Sequence, residues 1–438
     1  MDEYRLESEN LLGFLKECPT AFHSVAAIKK RLDAAGFTQL YEEDRWTVAQ
    51  GDRRYVIRNG SAIIAFKADA AGGDYCFKLG AAHGDYPCFK LKELPSLKDG
   101  AYIRLNVEGY GGMICSTWLD RPLSIAGRVV VKEGRRFMEK LVDIDRDLLL
   151  IPNLPIHMNR EVNDGFAYNK QIDLLPLWSS AEGKQPDVKQ LIAAELGVKP
   201  EDIAGTDLYL YPRTQPSVWG ASGEFISSAH LDDMQCGYAL LQGFINEKGS
   251  GDINVFACFD NEEVGSETRQ GAASDFLYDV LHRVNSALGF SEEDYSRAVA
   301  GGFCVSADNA HALHPNHPEK YDAANRVFMN GGIVIKANAS QKYASDAVSS
   351  AMFKAVCEKS GVPVQFFANR SDMPGGSTLG NISSSRVPFK TVDIGLAQLA
   401  MHSAYETAGV KDTLWLEKAM ECFWTAQIKS GPEGFSVE

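Results

Sequence analysis

Segments with helical periodicity alternate with short apolar segments typical of buried strands in the second half of the chain. The helical patterns cover 232–248, 344–361 and 412–429, and the strand-like segments cover 253–259, 362–368 and 389–396. Such alternation is typical of an α/β sheet that carries helices on both faces. We therefore predict an α/β fold.

The length and a change of character along the chain indicate two domains. A chain of 438 residues exceeds one typical domain. Short β-type runs, turns and an irregular stretch fill the middle of the sequence. We predict a discontinuous α/β domain at 1–92 and 217–438, with a β-rich domain inserted at 93–216. Near the N-terminus, the β-rich runs 61–68 and 75–83 flank a glycine-containing turn, which favours a hairpin.

Charge and cysteine usage restrict the class of protein. The formal net charge is −14 and the isoelectric point is near 5.2, which argues against nucleic acid and anionic membrane surfaces as partners. No basic leader with an apolar core is visible, and no run reaches the roughly 18 apolar residues of a membrane span. The nine cysteines are scattered, without C-x-x-C spacing. These features predict a cytoplasmic protein with reduced thiols.

Residues able to bind metals occur where several predicted strands end. Asp260, Glu262 and Glu263 follow the strand-like segment INVFACF. The other places hold His83 with Asp85, Asp232 with Asp233, Asp308 with His311, His314 and His317, and finally His402. Open α/β sheets build their sites at the carboxyl ends of strands. Asp85 follows His83 by two residues, so it is placed to orient the imidazole by accepting its second N–H.

Each of these signals also has an ordinary structural interpretation. A histidine after an apolar run is often a structural residue, an aspartate at a helix start is often a cap, and an acidic pair is often a solvated loop. Taken together, two histidines and three carboxylates are the ligand set of a pair of divalent ions with one bridging carboxylate. A glutamate adjacent to a ligand then suits a general base acting on a shared water.

A series of motifs in the same order resembles the aspartyl aminopeptidase family of dinuclear-metal exopeptidases. The motifs are AAHGDYPCFKLK, YGGMICSTWLDRPLSIAGRVVV, IPNLPIHMNR, HLDD, DNEEVGS, VSADNAHALHPNHPEKY, VIKANASQKYASDA, DMPGGSTLG and TVDIGLAQLAMHSAYE. The likeness covers nearly the whole chain. It implies a zinc-exopeptidase three-layer αβα domain with an inserted β-rich dimerisation domain, and dimers that assemble into a dodecamer.

The resemblance also implies a metal centre. His83 and Asp308 would hold one ion, Glu263 and His402 the other, and Asp232 would bridge them. Two divalent ions per subunit are expected. Zinc is the first expectation, although cobalt and manganese suit the same ligands.

Roles for the remaining site residues follow from the same resemblance. Glu262 would be the general base in the attack of a metal-bridging water, and Asp85 the residue that orients a ligand. His157 would reach the active site of a neighbouring subunit. Lys336 would pair with an acidic substrate side chain, in a pocket that Tyr343 lines. The expected substrates are peptides with a free N-terminus, from which the enzyme removes an acidic residue.

The motifs depart from the family at five positions near the expected pocket, so other side-chain preferences stay open. The departures are Tyr86, His230, Asp233, Asn261 and Gly375. An aminopeptidase for neutral or basic N-terminal residues would use the same metal centre. A carboxypeptidase-like or deacylating relative, a non-catalytic shell or binding protein, and a purely structural protein are the further alternatives.

Overall fold

The computed structural model describes residues 3–182, 186–431 and 434–438. The helices in these residues are α1 (Glu3–Lys16), α2 (Ala21–Ala34), α3 (Val188–Leu196), α4 (Leu231–Asn246), α5 (Phe276–Ala287), α6 (Glu292–Gly301), α7 (Ala347–Ser360), α8 (Leu379–Ser383) and α9 (Asp412–Thr425). The first eleven strands are β1 (Thr38–Leu40), β2 (Arg53–Arg58), β3 (Ala62–Ala68), β4 (Phe77–His83), β5 (Cys88–Asp99), β6 (Tyr102–Tyr110), β7 (Leu123–Glu133), β8 (Arg136–Asp143), β9 (Leu177–Ser180), β10 (Ile203–Pro212) and β11 (Ser217–Trp219). The others are β12 (Phe225–Ser228), β13 (Ile253–Phe259), β14 (Phe303–Ala307), β15 (Ala310–His311), β16 (Ile333–Ala337), β17 (Val364–Ala368), β18 (Lys390–Gly395), β19 (Ala397–Leu399), β20 (Glu406–Gly409), β21 (Ile428–Gly431) and β22 (Gly434–Val437).

A nine-stranded sheet forms the centre of the molecule, in the order β1-β2-β3-β13-β4-β14-β18-β16-β17. Side chains of β13 alternate between the two faces, as the two-residue period of a strand requires. Phe256 packs in the core formed with α1, α2, α4, α7 and α9, whereas Val255 packs in the core formed with α5 and α6. The predicted α/β class is confirmed, and both faces of the sheet are covered by helices.

The hairpin expected from residues 61–68 and 75–83 is wrong. β13 lies between β3 and β4, antiparallel to the first and parallel to the second. The actual hairpin joins β2 to β3 through Asn59 and Gly60, which have φ values of 57° and 69°. Asn-Gly with two positive φ angles is the combination that favours a tight hairpin turn.

The β-rich middle of the chain forms its own sheet and core. Its six strands run in the order β8-β7-β10-β5-β6-β9. Phe89, Trp118, Ile125 and Leu210 lie in this core with less than 2% of their surface exposed. Ala404, from the loop that carries His402, packs against the same core, so this sheet contacts the site region directly.

Two further properties concern membranes and disulfides. Among the described helices, none is long and apolar enough to cross a membrane. The nine cysteines are all free thiols, and most are buried. Buried thiols behave as small apolar side chains, which fits their scattered positions in the sequence.

Candidate metal centre

Three parallel strands bring the predicted metal-binding residues to one edge of the central sheet. β13 and β14 both pair in parallel with β4. His83 ends β4, Glu262 and Glu263 follow β13, and Asp308 follows β14. Because the carboxyl ends of parallel strands meet at one edge, residues distant in sequence become neighbours.

Four of the side chains converge on a common point. Ligand atoms of His83, Asp232 and Glu263 lie within 4.8 Å of one another. His402 Nε2 lies 3.3 Å from Asp232 Oδ2 and 3.2 Å from Glu263 Oε1. Two ligands bound to one zinc ion at about 2.0–2.1 Å are separated by about 3.3 Å in a tetrahedron. The observed spacing therefore suits a shared metal ion.

Backbone carbonyls orient both histidines. His83 Nδ1 is 3.0 Å from the carbonyl of Asp85, and His402 Nδ1 is 3.0 Å from the carbonyl of Gly112. Because a carbonyl only accepts, each Nδ1 carries the proton, and each Nε2 is directed towards the carboxylates. This is the arrangement found in metal-binding histidines.

The carboxylate of Asp85 contacts the glutamate turn more closely than the imidazole. It lies 3.5 Å from His83 Nδ1, farther than the backbone carbonyl of the same residue. Instead, it accepts hydrogen bonds from the amides of Glu262 at 3.1 Å and Glu263 at 3.2 Å, and from Tyr110 Oη at 2.6 Å. Asp85 thus fixes the turn that presents the two glutamates, while its main chain orients the imidazole.

The structural alternatives for the acidic residues are not observed. The Glu263 side chain is only 4% exposed, so the pair is not a solvated loop. Helix α4 has no side-chain cap, and Asp232 and Asp233 have non-helical φ/ψ values at its start. Glu406 receives the amides of Asp232 at 3.0 Å and His402 at 2.7 Å, which ties these two residues together.

Burial of many carboxyl groups raises several pKa values. Burial, reinforced by nearby carboxylates, raises the pKa of Glu262 to about 8 and that of Glu263 to about 7. Burial lowers the pKa of His402, but its contacts with Asp232 and Glu263 outweigh this and raise it to about 11. Closely spaced buried carboxylates make the electrostatic potential here strongly negative, and a negative potential favours a bound cation.

Buried carboxylate oxygens provide a direct test of whether a metal fits. Asp232 Oδ1 and Glu263 Oε1 are buried and accept no well-aligned hydrogen bond from the described residues, although His402 Nε2 lies 3.2 Å from Glu263 Oε1. An unsatisfied buried carboxylate is costly unless it is paired or coordinates a metal. Both histidines direct Nε2 towards these carboxylates. The donor set therefore fits divalent ions.

A cavity of about 140 Å³ adjoins this cluster. Glu262, Asp308, Lys336 and Tyr343 line it, together with His83, Asp232, His311, Phe367, Thr378 and His402. Lys336 is buried, 5.1 Å from the centre of the Tyr343 ring. Its Nζ donates to the carbonyl of Asp308 at 2.8 Å and lies 3.4 Å from Asp308 Oδ1.

Other candidates from the sequence lie outside this cavity. His157 is exposed in the irregular loop before β9 and does not line the cavity. His314 and His317 are neighbours, with ring centres 5.1 Å apart, on a partly exposed loop. Tyr86 and His230 stack on each other with ring centres 3.3 Å apart, and neither lines the cavity.

Comparison with known proteins places the whole chain in one family. Residues 14–424 match the family described as Aminopeptidase I zinc metalloprotease (M18). The probable M18 family aminopeptidase 2 of Clostridium acetobutylicum is 45% identical over 427 residues, covering 95% of this chain and 98% of that protein. The protein of the same description from Pseudomonas aeruginosa (strain UCBPP-PA14) is 39% identical over 426 residues, covering 96% and 98%.

The chain belongs to the M18 aminopeptidase family. Solved structures agree: the cryo-EM structure of the Ape4 and Nbr1 complex superposes with a TM-score of 0.91 at 33% identity, covering 95% of this chain and 85% of that one. The S. cerevisiae mApe1 dodecamer superposes with a TM-score of 0.84 at 28% identity, covering 96% of each chain. The protein is thus a metal-dependent aminopeptidase that uses a divalent ion, and the resemblance recognised in the sequence is confirmed.

Sequence reasoning missed several residues of this M18 site. Glu406, Gly112 and Tyr110 contact predicted site residues, yet none has an obvious metal-binding signature. Glu406 is a charged residue of 2% exposure at the start of β20, but the sequence does not show that burial. Gly112 acts through its carbonyl, which no residue type reveals.

Proposed function

We propose that this M18 enzyme removes acidic residues, Asp or Glu, from the N-terminus of peptides. The observation that carries the proposal is the buried Lys336, which lines the same cavity as the metal-binding cluster. A buried ammonium in a small cavity favours a substrate carboxylate over an apolar or basic side chain. Tyr343 forms the wall beside it.

Two zinc ions are the proposed cofactors, although cobalt and manganese suit the same donors. His83 and Asp308 would hold one ion, His402 and Glu263 the other, and Asp232 would bridge them. Bound divalent ions polarise a carbonyl and lower the pKa of water. The buried Asp232 Oδ1 and Glu263 Oε1 support this ligand set.

Glu262 is the proposed general base. It lines the cavity beside the proposed ligands, and burial among other carboxylates raises its pKa. A carboxylate within reach of the attacking water is placed to exchange protons with it. Its carboxylate accepts the proton of the attacking water and then gives that proton to the leaving amine.

A substrate panel tests the proposed specificity. Aminoacyl anilides of Asp, Glu, Leu, Lys and Ala with free amino groups are assayed on the zinc-loaded enzyme and on Lys336→Met. We expect the ratio of kcat/KM for Asp over Leu to favour Asp strongly and to fall in the variant. If the parent enzyme prefers Leu or Lys substrates, it is an aminopeptidase for neutral or basic N-terminal residues. Hydrolysis of amino-blocked substrates would indicate a different exopeptidase class.

A homo-oligomer built from dimers, with a dodecamer as the final assembly, is also proposed. The loop around His157 exposes Leu154, Ile156 and Met158, the last at 76%. Exposed apolar side chains on one loop suit a protein interface. The residues 93–216 would form the dimerisation domain and would carry His157 to a neighbouring active site. Light scattering gives the assembly size, and His157→Ala is expected to lower kcat without dissociating the assembly.

The cytoplasm is the proposed location. Free thiols persist in a reducing compartment, whereas oxidising compartments favour disulfides. All nine cysteines of this chain are free and scattered through the structure. Fractionation of cells that express the protein tests the location.

A further inference from the structure

The segment Tyr110–Gly112 belongs to the β-rich sheet but lies against the metal-binding cluster of the α/β domain. Tyr110 is the last residue of β6, and Gly111 turns the chain with a φ of 72°. From this turn the segment contacts both sides of the cluster. The contacts are specific hydrogen bonds and one close backbone approach.

On one side, Tyr110 supports the turn that carries the two glutamates. Its hydroxyl donates to Asp85 Oδ2 at 2.6 Å and accepts from Asn261 Nδ2 at 2.9 Å. The same Asp85 carboxylate receives the amides of Glu262 and Glu263. Asp85 is only 4% exposed, so removing one of its donors leaves a buried carboxylate oxygen short of a partner.

On the other side, Gly112 and its neighbours hold the loop of His402. The Gly112 carbonyl accepts from His402 Nδ1 at 3.0 Å, and the Ile114 amide donates to the His402 carbonyl at 3.0 Å. Thr117 Oγ1 receives the Ala404 amide at 2.9 Å. These bonds fix the ring so that Nε2 faces the carboxylates.

Gly111 lies between these two contacts, against the backbone of the site. A Cβ at this position would lie 3.2 Å from Glu263 Cβ and 3.3 Å from Pro87 Cα. The positive φ strains any residue other than glycine, and these neighbours would have to shift to admit a Cβ. The segment therefore touches the glutamate turn and the histidine loop within three consecutive residues.

We propose that Tyr110–Gly112 fixes the position of the glutamate turn relative to the His402 loop, and that Tyr110 is a positioning residue for the metal centre. This inference rests on the ligand set of the proposed function. Partners that orient metal ligands typically change metal affinity or activity by about 10–100-fold when removed. The β-rich sheet thus supports the active site of its own chain, beyond any part in assembly.

The test compares zinc affinity in Tyr110→Phe with that of a matched control. Tyr209→Phe is the control, because its ring lies 6.1 Å from that of Tyr110 and its hydroxyl has no hydrogen bond within the described residues. Apoprotein is titrated with zinc against a chromophoric chelator, and kcat and KM are measured on the loaded enzyme. We expect Tyr110→Phe to weaken zinc binding about 10–100-fold and to lower kcat more than it alters KM. Tyr209→Phe should bind zinc as the parent does.

Two further variants separate the possible failures. His83→Ala should lose the zinc ion that His83 and Asp308 would hold; if it binds both ions as the parent does, the ligand set of the proposed function is wrong. If His83→Ala loses zinc while Tyr110→Phe retains parental affinity, the ligand set stands and the inference about Tyr110 is overturned. Gly111→Ala decides the matter if Tyr110→Phe does not fold, and parental zinc affinity in that variant also overturns the inference.

Discussion

Adjacent glutamates at one turn occupy different surroundings. Glu263 faces His402, with 3.2 Å between Oε1 and Nε2, whereas Glu262 lines the cavity. The turn begins at Asn261, which has a φ of 63°, and both following amides bond to Asp85. One short turn would therefore place the proposed ligand Glu263 beside the proposed base Glu262.

Glu262→Gln should leave metal binding intact and lower kcat by about 10²–10⁴-fold, since it removes only the proton acceptor. Zinc content by plasma mass spectrometry and kcat for an Asp substrate provide the two readouts. An active variant with full zinc content would contradict the assignment of Glu262 as base.

Asp232→Asn should lose the metal pair, because the bridging position needs a carboxylate for both ions. Asp233→Asn is the matched control. Asp233 receives the His83 amide at 3.3 Å, a bond that an asparagine carbonyl also accepts. Zinc content should fall sharply in the first variant and stay parental in the second; equal zinc content in both would exclude Asp232 as the bridge.

Some of the site was predictable at the level of residues and some was not. The positions of His83, Asp308 and the glutamate pair follow from one rule, that ligands gather at the ends of parallel strands. The bond between Lys336 and the Asp308 carbonyl could not be predicted, because it depends on the approach of a strand distant in sequence. Nor could the sequence show that the Asp85 carboxylate would hold the glutamate amides.

Among the strands, the wrongly predicted hairpin of residues 61–68 and 75–83 shows that neighbouring residues alone do not determine strand pairing. Glycine between two β-rich runs favoured pairing of β3 with β4, but β13 pairs with both. That arrangement depends on contacts across nearly 200 residues, which no local pattern encodes. Helix periodicity was more reliable, because a helix that packs one face on a sheet, such as α5, buries a stripe that its own sequence reveals.

The start of α9 carries a pH-sensitive contact outside the active site. Asp412 is fully buried and accepts the amides of Asn330 at 2.7 Å and Gly332 at 3.1 Å. Burial raises its pKa to about 7 despite these bonds. At pH values between the unfolded pKa of about 3.9 and the folded pKa of about 7, the native state binds one more proton at Asp412 than the unfolded state does. Raising the pH through this range therefore lowers the free energy of unfolding.

Asp412→Asn should therefore flatten the pH dependence of the free energy of unfolding. Between pH 4.5 and pH 8, we expect the free energy of unfolding of the parent to fall on the order of 1–4 kcal/mol more than that of the variant. Urea unfolding at both pH values measures the difference. Identical slopes with pH in the two proteins would show that Asp412 does not titrate in this range.

In the molecule as a whole, the β-rich sheet meets the elements that carry the proposed ligands. Tyr110 contacts Asp85, which holds the turn after β13 of the central sheet, and Gly112 contacts His402 in the loop between β19 and β20. The alternation of helices and strands indicated the α/β class from sequence, and the change of character in the middle indicated a second unit. The sequence could not predict the contacts between these two units, because they involve the hydroxyl of Tyr110 and the main-chain carbonyl of Gly112.

Removal of the metal should destabilise the entire protein. Buried carboxylates such as Asp232, Glu263 and Glu406 repel one another without a cation, and a ligand that binds only the native state stabilises it. We expect a chelator to lower the Tm and added zinc to restore it. An unchanged Tm after verified loss of zinc would mean that the ion contributes little to the fold.

Anomalous diffraction at the zinc edge, on crystals of the zinc-loaded protein, is the most direct test of the proposed metal ligands. We expect two peaks on either side of Asp232, one near His83 and Asp308 and one near His402 and Glu263. A single peak elsewhere, or none within bonding distance of Asp232, would contradict it.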